Sequence, residues 1–200
     1  EMMMELLAES QNYVDAYDQL AQHYMLTERE SEALEVLEQA LKVTPCNVHR
    51  LQSAGQVAYR MGNMEAARKY LEKAVTHGGN SSVLDLRSMF YLGVSLLKEG
   101  KAKEAEQMRL MMSQAVEKNP TFENQNLLTL LEGADHVAMG RLEVAESRLR
   151  EVAINIGEPV IDITLGSDLL SVVTLLPEGT AWVEAWVREA SRRFANSRLS

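Results

Sequence analysis

LQSAGQVAYRMGNMEAARKYLEKAV, residues 51–75, carries the pattern that decides the fold. Leu51, Ala54, Gly55 and Ala58 recur at i, i+3, i+4 and i+7, one face of an α-helix. Met61-Gly62-Asn63 interrupts that face, and a glycine just past a helix end is the expected left-handed cap. Ala67, Leu71 and Ala74 then line a second helix. The stretch predicts two short helices joined by a tight turn. Gly55 within an apolar face predicts close approach by another helix; a larger side chain there would overpack, at about 1–3 kcal/mol.

The same unit recurs along the chain, the mark of a repeat architecture. Gly93 and Gly100 are seven apart, as are Gly133 and Gly140, and Ala105 and Ala145 follow as Ala67 does. Ala21, Glu28 and Ala33 stand in the corresponding places upstream, so four copies lie at spacings of 34, 38 and 40 residues. Tyr17, Leu20, Ala21 and Tyr24 repeat the first helical face, as do Met89, Leu92, Gly93 and Leu96. Ala33, Leu37 and Ala40 repeat the second, as do Ala145, Leu149 and Val152. Pro45 and Pro120 close the first and third copies, where a helix cannot continue. Glu28 replaces the turn glycine in the first copy, so a bent, glycine-free turn is expected there. Residues 160–165 alone hint at strand-like alternation.

Composition narrows the function. The chain has 200 residues, 46% hydrophobic and 24% charged, as in a globular domain with a real core. Cys46 is the single cysteine, which excludes an intrachain disulfide framework and a cysteine-rich zinc site. No 18-residue apolar run or signal-peptide pattern is present, and the reading favours a reducing, cytoplasmic setting without membrane contact. Residues 1–40 hold ten acids against Arg29, a net of −9; residues 41–200 hold 19 acids and 19 bases and are neutral. Acidic character repels phosphate backbones, so nucleic acid is a poor partner. The acidic stretch reads either as a solvated helix face or as a docking surface for a basic partner.

These repeats resemble the tetratricopeptide repeat. The resemblance spans about residues 14–159 and is strong in "AYDQLAQHYMLTERESEALEVLEQALKVTP" and in residues 51–75. In "MFYLGVSLLKEGKAKEAEQM" it holds until Arg109, where the family has a large apolar residue, and a longer second helix there would shift the register by about one turn. In "LLTLLEGADHVAMGRLEVAESRLREV" it weakens, with Glu132 on a usual core position and Thr129 in place of a large residue. The resemblance implies an all-α fold: a right-handed solenoid of about four helix pairs, repeats at 14–47, 48–81, 86–122 and 126–159. An N-terminal helix extension would occupy 1–13 and a C-terminal capping segment and helix 160–200.

The resemblance also implies a concave groove, lined by the first helix of each pair, that receives a protein or peptide. Carried over position by position, the groove takes Asp15, Asp18, Gln22 and Met25 from the first copy and His49, Gln52, Gln56 and Tyr59 from the second. Arg87, Phe90, Val94 and Leu97 come from the third, and Leu127, Leu130, Ala134 and Val137 from the fourth. The lining runs from acidic through neutral polar to apolar. Its start suits a basic or amphipathic partner. Its apolar end is read as covered by the chain's own tail, because Leu169, Leu170, Val172, Val173, Leu175 and Leu176 are too many for one surface face. Pro177-Glu178-Gly179 follows, then a helix over 181–196 with a stripe of Trp182, Ala185, Trp186, Glu189 and Arg193. The family's carboxylate clamp of Lys, Asn and Arg is rejected, because Asp18, Gln22 and Ser53 hold its positions and only Arg87 fits.

"NYVDAYDQLAQHY", "VTPCNVHRLQSAGQVAYRMGN" and "HGGNSSVLD" are similar to the repeat region of bacterial response regulators. That resemblance implies an adaptor or output half of a larger signalling protein, with Glu1 marking a boundary. The alternative is a cytoplasmic secretion or assembly chaperone. Homodimerisation is open, given the cluster Met2, Met3 and Met4 beside the acids; Met108, Met111 and Met112 read as core filling or an adaptable surface.

Enzyme signals are weak. His23, His49, His77 and His136 show no metal-ligand spacing. Cys46 reads as an exposed turn thiol without a base. The loop at 77–82 lacks a phosphate-binding Lys and follows no strand. No catalytic residue, cofactor or metal is therefore expected.

Overall fold

The computed structural model describes residues 14–78, 83–156, 163–176 and 182–189. Eight helices form four successive pairs: α1 (Val14–Leu26) with α2 (Glu30–Val43), α3 (Val48–Arg60) with α4 (Met64–Gly78), α5 (Val83–Lys98) with α6 (Ala102–Lys118), and α7 (Phe122–Ala138) with α8 (Leu142–Asn155). The helix α9 (Ile163–Val173) follows, and residues 182–189 are helical. No strand occurs among the described residues. The strand hint at 160–165 gives way to helix: Ile163 to Leu165 open α9, and 160–162 lie outside the described residues. A six-residue alternation cannot compete with the i, i+3, i+4, i+7 burial of Leu165, Asp168, Leu169 and Val172.

Within every pair a three-residue turn joins the helices, and its middle residue is left-handed. Gly62, Gly100 and Gly140 have φ of 76°, 74° and 71°, and Glu28 has 58°. The third turn residue reaches back to close the first helix: Arg29 N–H donates to Tyr24 O at 2.9 Å, Asn63 to Ala58 at 2.9 Å, Lys101 to Leu96 at 2.8 Å and Arg141 to His136 at 2.9 Å. That six-to-one bond satisfies carbonyls a helix end leaves orphaned. Asn47 and Thr121 cap the starts of α3 and α7 by accepting from the N–H of Arg50 and Asn124.

The helices interlock through the small residues. A Cβ on Gly55 would lie 2.5 Å from Leu71 Cγ; one on Gly93 or Gly133 would lie 2.7 Å from a methyl of Leu131 or Leu149. Helix α5 packs against both α3 and α7, so the first helices of the second, third and fourth pairs adjoin, while α9 packs on α7 and α8. One apolar cluster joins α1, α2 and the start of α3; a second runs from Ala58 through α5, α6, α7 and α8 to Leu176.

The third pair shows the register shift expected at Arg109. Helix α6 runs 17 residues, against 15 for α4 and 14 for α8. Ala105 is buried, but Arg109 stays half-exposed beside Glu106, and Met112 becomes the next buried large side chain. Met108 and Met111 pack partly buried against the core.

Candidate functional site

The groove positions divide into an open half and a covered half. In the open half, Gln22 and His49 are exposed and Met25 and Gln56 half-buried. Asp15 lies on α1, but its side chain falls outside the described residues. Gln52 is buried, and its Oε1 finds no hydrogen-bond donor.

Asp18 is not the free acid its place in the sequence suggested. Arg50 Nε and Nη2 donate to its two carboxylate oxygens at 2.8 and 2.7 Å. The Arg50 side chain is 7% exposed, and its Nη1 donates to Thr44 Oγ1 at 2.8 Å. A bidentate pair of this kind cancels the charge at short range and fixes α1 against α3. One of the two acids at the start of the groove is thereby neutralised.

In the covered half, Phe90 and Val94 have no exposure, and Leu97, Leu127, Leu130 and Ala134 are buried in the same cluster as Leu165, Leu169, Val172 and Leu176. Val137 is half-buried against that cluster. Helix α9 is held by a polar anchor as well. Arg87 Nε donates to Asp168 Oδ2 at 3.1 Å, and Tyr91 Oη donates to Oδ1 at 2.8 Å. The other arm of Arg87, Nη2, donates to Glu123 Oε1 at 2.7 Å. Tyr59 Oη donates to the backbone oxygen of Ser171 at 2.9 Å. Asp168 is 2% exposed, and burial pushes its carboxyl above the usual range against the pull of Arg87 and Tyr91. Burial likewise pushes the Tyr91 phenol well above its ordinary value, with the Asp168 charge adding to it.

Where the halves meet, a cavity of about 420 Å³ is lined by Tyr59, Arg60, Lys98, Leu170, Ser171 and Thr174, among others. The Lys98 ammonium sits 4.2 Å from the Tyr59 ring centroid, and partial burial lowers its pKa.

The tail beyond α9 also docks. Trp182 and Trp186 pack partly buried against the core, and Trp186 Nε1 donates to Ala153 O at 3.1 Å. Ala185, expected on the same stripe, is exposed. Arg193 and Pro177-Glu178-Gly179 lie outside the described residues, as do Met2 to Met4 and the loop at 79–82.

Sequence reasoning missed Arg50, Tyr91, Asp168 and Ser171. Arg50 stands 32 residues after Asp18, close to one repeat length, which is the signal of a partner on the neighbouring pair. Asp168 interrupts the apolar stripe of α9, and a lone acid there signals a buried cation opposite.

Two of the departures in the later copies, Arg109 and Glu132, meet in space. Arg109 and Glu132 line a 230 Å³ pocket with Asp135, His136, Arg141 and Arg148, and His136 Nδ1 lacks a hydrogen-bond partner there. Among the described residues no group of three or more His, Cys, Asp or Glu could hold a metal, and no helix is long and apolar enough to cross a membrane. Cys46 is exposed.

Stacked helix pairs, left-handed turns within each pair and a glycine-to-leucine interlock make an all-helical solenoid of the tetratricopeptide-repeat type. The tetratricopeptide-repeat family matches residues 14–45 and 48–76. Among solved structures, the crystal structure of MamA protein is similar at 15% identity, a TM-score of 0.58, and coverage of 78% of this chain and 80% of that one. YrrB, described as a TPR protein with an unusual peptide-binding site, is similar at 18% identity, a TM-score of 0.55, and coverage of 92% and 97%. At such identities the likeness concerns the fold. No curated protein matches the chain in sequence.

Proposed function

We propose that this chain is a non-catalytic interaction module that takes an amphipathic segment of a partner protein in the open half of its groove, along Gln22, Met25, His49 and Gln56. In this reading the repeats span 14–47, 48–81, 86–122 and 126–159, and 160–200 is their cap. The observation that carries it is that the groove already receives a helix: α9 lies against Tyr59, Arg87 and Tyr91, held by apolar burial and side-chain hydrogen bonds. Beside that seat Gln22 and His49 are exposed, and Met25 and Gln56 are half-buried. Neutralisation of Asp18 by Arg50 favours an amphipathic partner over a merely basic one. The stretches similar to bacterial response regulators support an adaptor or output role in bacterial signalling.

Photo-crosslinking tests the reading. A benzophenone amino acid at Gln22 or Gln56 should trap one and the same protein from native extract. The same probe at Lys69 or Lys103, exposed on second helices, should not. Adducts at the second-helix sites without any at the groove sites would overturn it. A secreted client in the adduct would move the role to a chaperone, and an adduct of twice the chain's mass would identify a homodimer.

A further inference from the structure

The covered half of the groove displays the chemistry of its own ligand. The face of α9 that meets it consists of Leu165, Asp168, Leu169 and Val172, three apolar side chains around one carboxylate. The receiving surface matches that order, with apolar Phe90, Val94, Leu127 and Leu130 around the Arg87 guanidinium and the Tyr91 hydroxyl. The opposite face of α9 is not integrated: Ser167, Leu170 and Thr174 are exposed at the cavity where the open half begins.

The anchor is also built to survive departure of α9. Arg87 keeps its bond to Glu123, so the receptor cation is not stranded, and a released Asp168 regains water. The apolar positions are different: vacated, they would face solvent. Simple release is therefore unfavourable, but exchange for another helix of the same pattern keeps Arg87, Tyr91 and the apolar positions partnered.

We propose that α9 is a built-in ligand, and that this half of the groove binds in trans a partner helix carrying one carboxylate within an apolar stripe, which displaces α9. The proposal extends the proposed function from the open half to the covered half and rests on its premise that the groove is the binding face.

The test uses the full chain and a labelled peptide of residues 163–176 with a lysine tail for solubility. Asp168→Ala in the chain weakens the internal competitor, so the peptide should bind this variant about tenfold or more tighter than it binds the wild-type chain. The same variant should bind a peptide bearing Asp168→Ala about tenfold more weakly than the native peptide. Equal binding of the two peptides, or no binding by a variant that keeps its helical circular dichroism, would overturn the proposal. Native-state hydrogen exchange on the wild-type chain covers the case in which the variant fails to fold. Amides of α9 should exchange about tenfold or more faster than those of α5; matching rates would show α9 fused to the fold and refute exchange. A failure of groove crosslinking at Gln22 and Gln56 leaves these readouts unaffected, so the two readings fall separately.

Discussion

Gln56 and Val94 hold the same position in successive repeats, four residues before the end of the first helix, yet Gln56 is half-buried beside open groove and Val94 has no exposure. Gln52 and Phe90 share a second position, where both are buried but one is an amide and the other a phenyl ring. The backbone around them is alike: each helix ends in the same left-handed turn and carries the same glycine facing a leucine. One scaffold thus presents two surfaces. What differs is whether another helix lies on top, and the side chains follow that difference. Where α9 sits, the groove residues are apolar or paired with it; where it does not, they are aspartates, amides, a histidine and a methionine. Repeat geometry is set by the residues between helices, while the groove face is free to vary, which is how one architecture accommodates unlike ligands.

The contrast can be broken most severely from the covered side. Leu169→Ala deletes a fully buried side chain of α9 and should destabilise the chain by about 2–5 kcal/mol in urea unfolding, whereas Gln22→Ala on the open side should stay within about 0.5 kcal/mol of wild type. Equal effects would mean that burial of Leu169 adds nothing to the stability of the folded chain. Next in size is Gly55→Ala, whose Cβ would lie 2.5 Å from the branch carbon of Leu71; a loss of about 1–3 kcal/mol is expected from overpacking. Gly93→Ala meets a terminal methyl of Leu131 at 2.7 Å, which can rotate away, so its midpoint should fall less.

Asp18→Ala should cost about 1.5 kcal/mol, the lower end for a hydrogen bond to a charged group, because Arg50 is buried while Asp18 is partly solvated. Arg29→Ala, which breaks the exposed pair with Glu32, should barely move the melting temperature. One change runs the other way. Glu28→Gly relieves a left-handed non-glycine residue and should stabilise by about 0.5–1 kcal/mol; calorimetry showing a loss would mean that the Glu28 side chain makes an interaction worth more than the strain.

Much of this organisation was legible in residues 51–75 and their copies. Helix faces and turns are local, so the glycine and alanine spacing sufficed to place them. The displaced register of α6 was readable too, because Arg109 cannot take the place of Leu71. The electrostatics of the groove were not. Charge counted by segment sets Asp18 in an acidic stretch and Arg50 in a neutral one, and only stacking of one pair on the next brings them to 2.7 Å. Asp168 was hidden for a similar reason: the density of apolar residues around it showed that the tail is buried but not which cation awaits it. The strand hint at the start of α9 failed because alternation in so short a run says little until the surface it packs against is known.

Both tryptophans of the chain lie in one stretch, at 182 and 186, beyond the last repeat. Trp186 donates its indole N–H to Ala153 O, and the Arg150 guanidinium lies 5.2 Å from the Trp182 ring centroid. Emission excited selectively from tryptophan therefore originates in this one stretch. An emission shift to the red without loss of ellipticity would report that this end had lifted while the stacked helices stayed intact, with no dye or label attached.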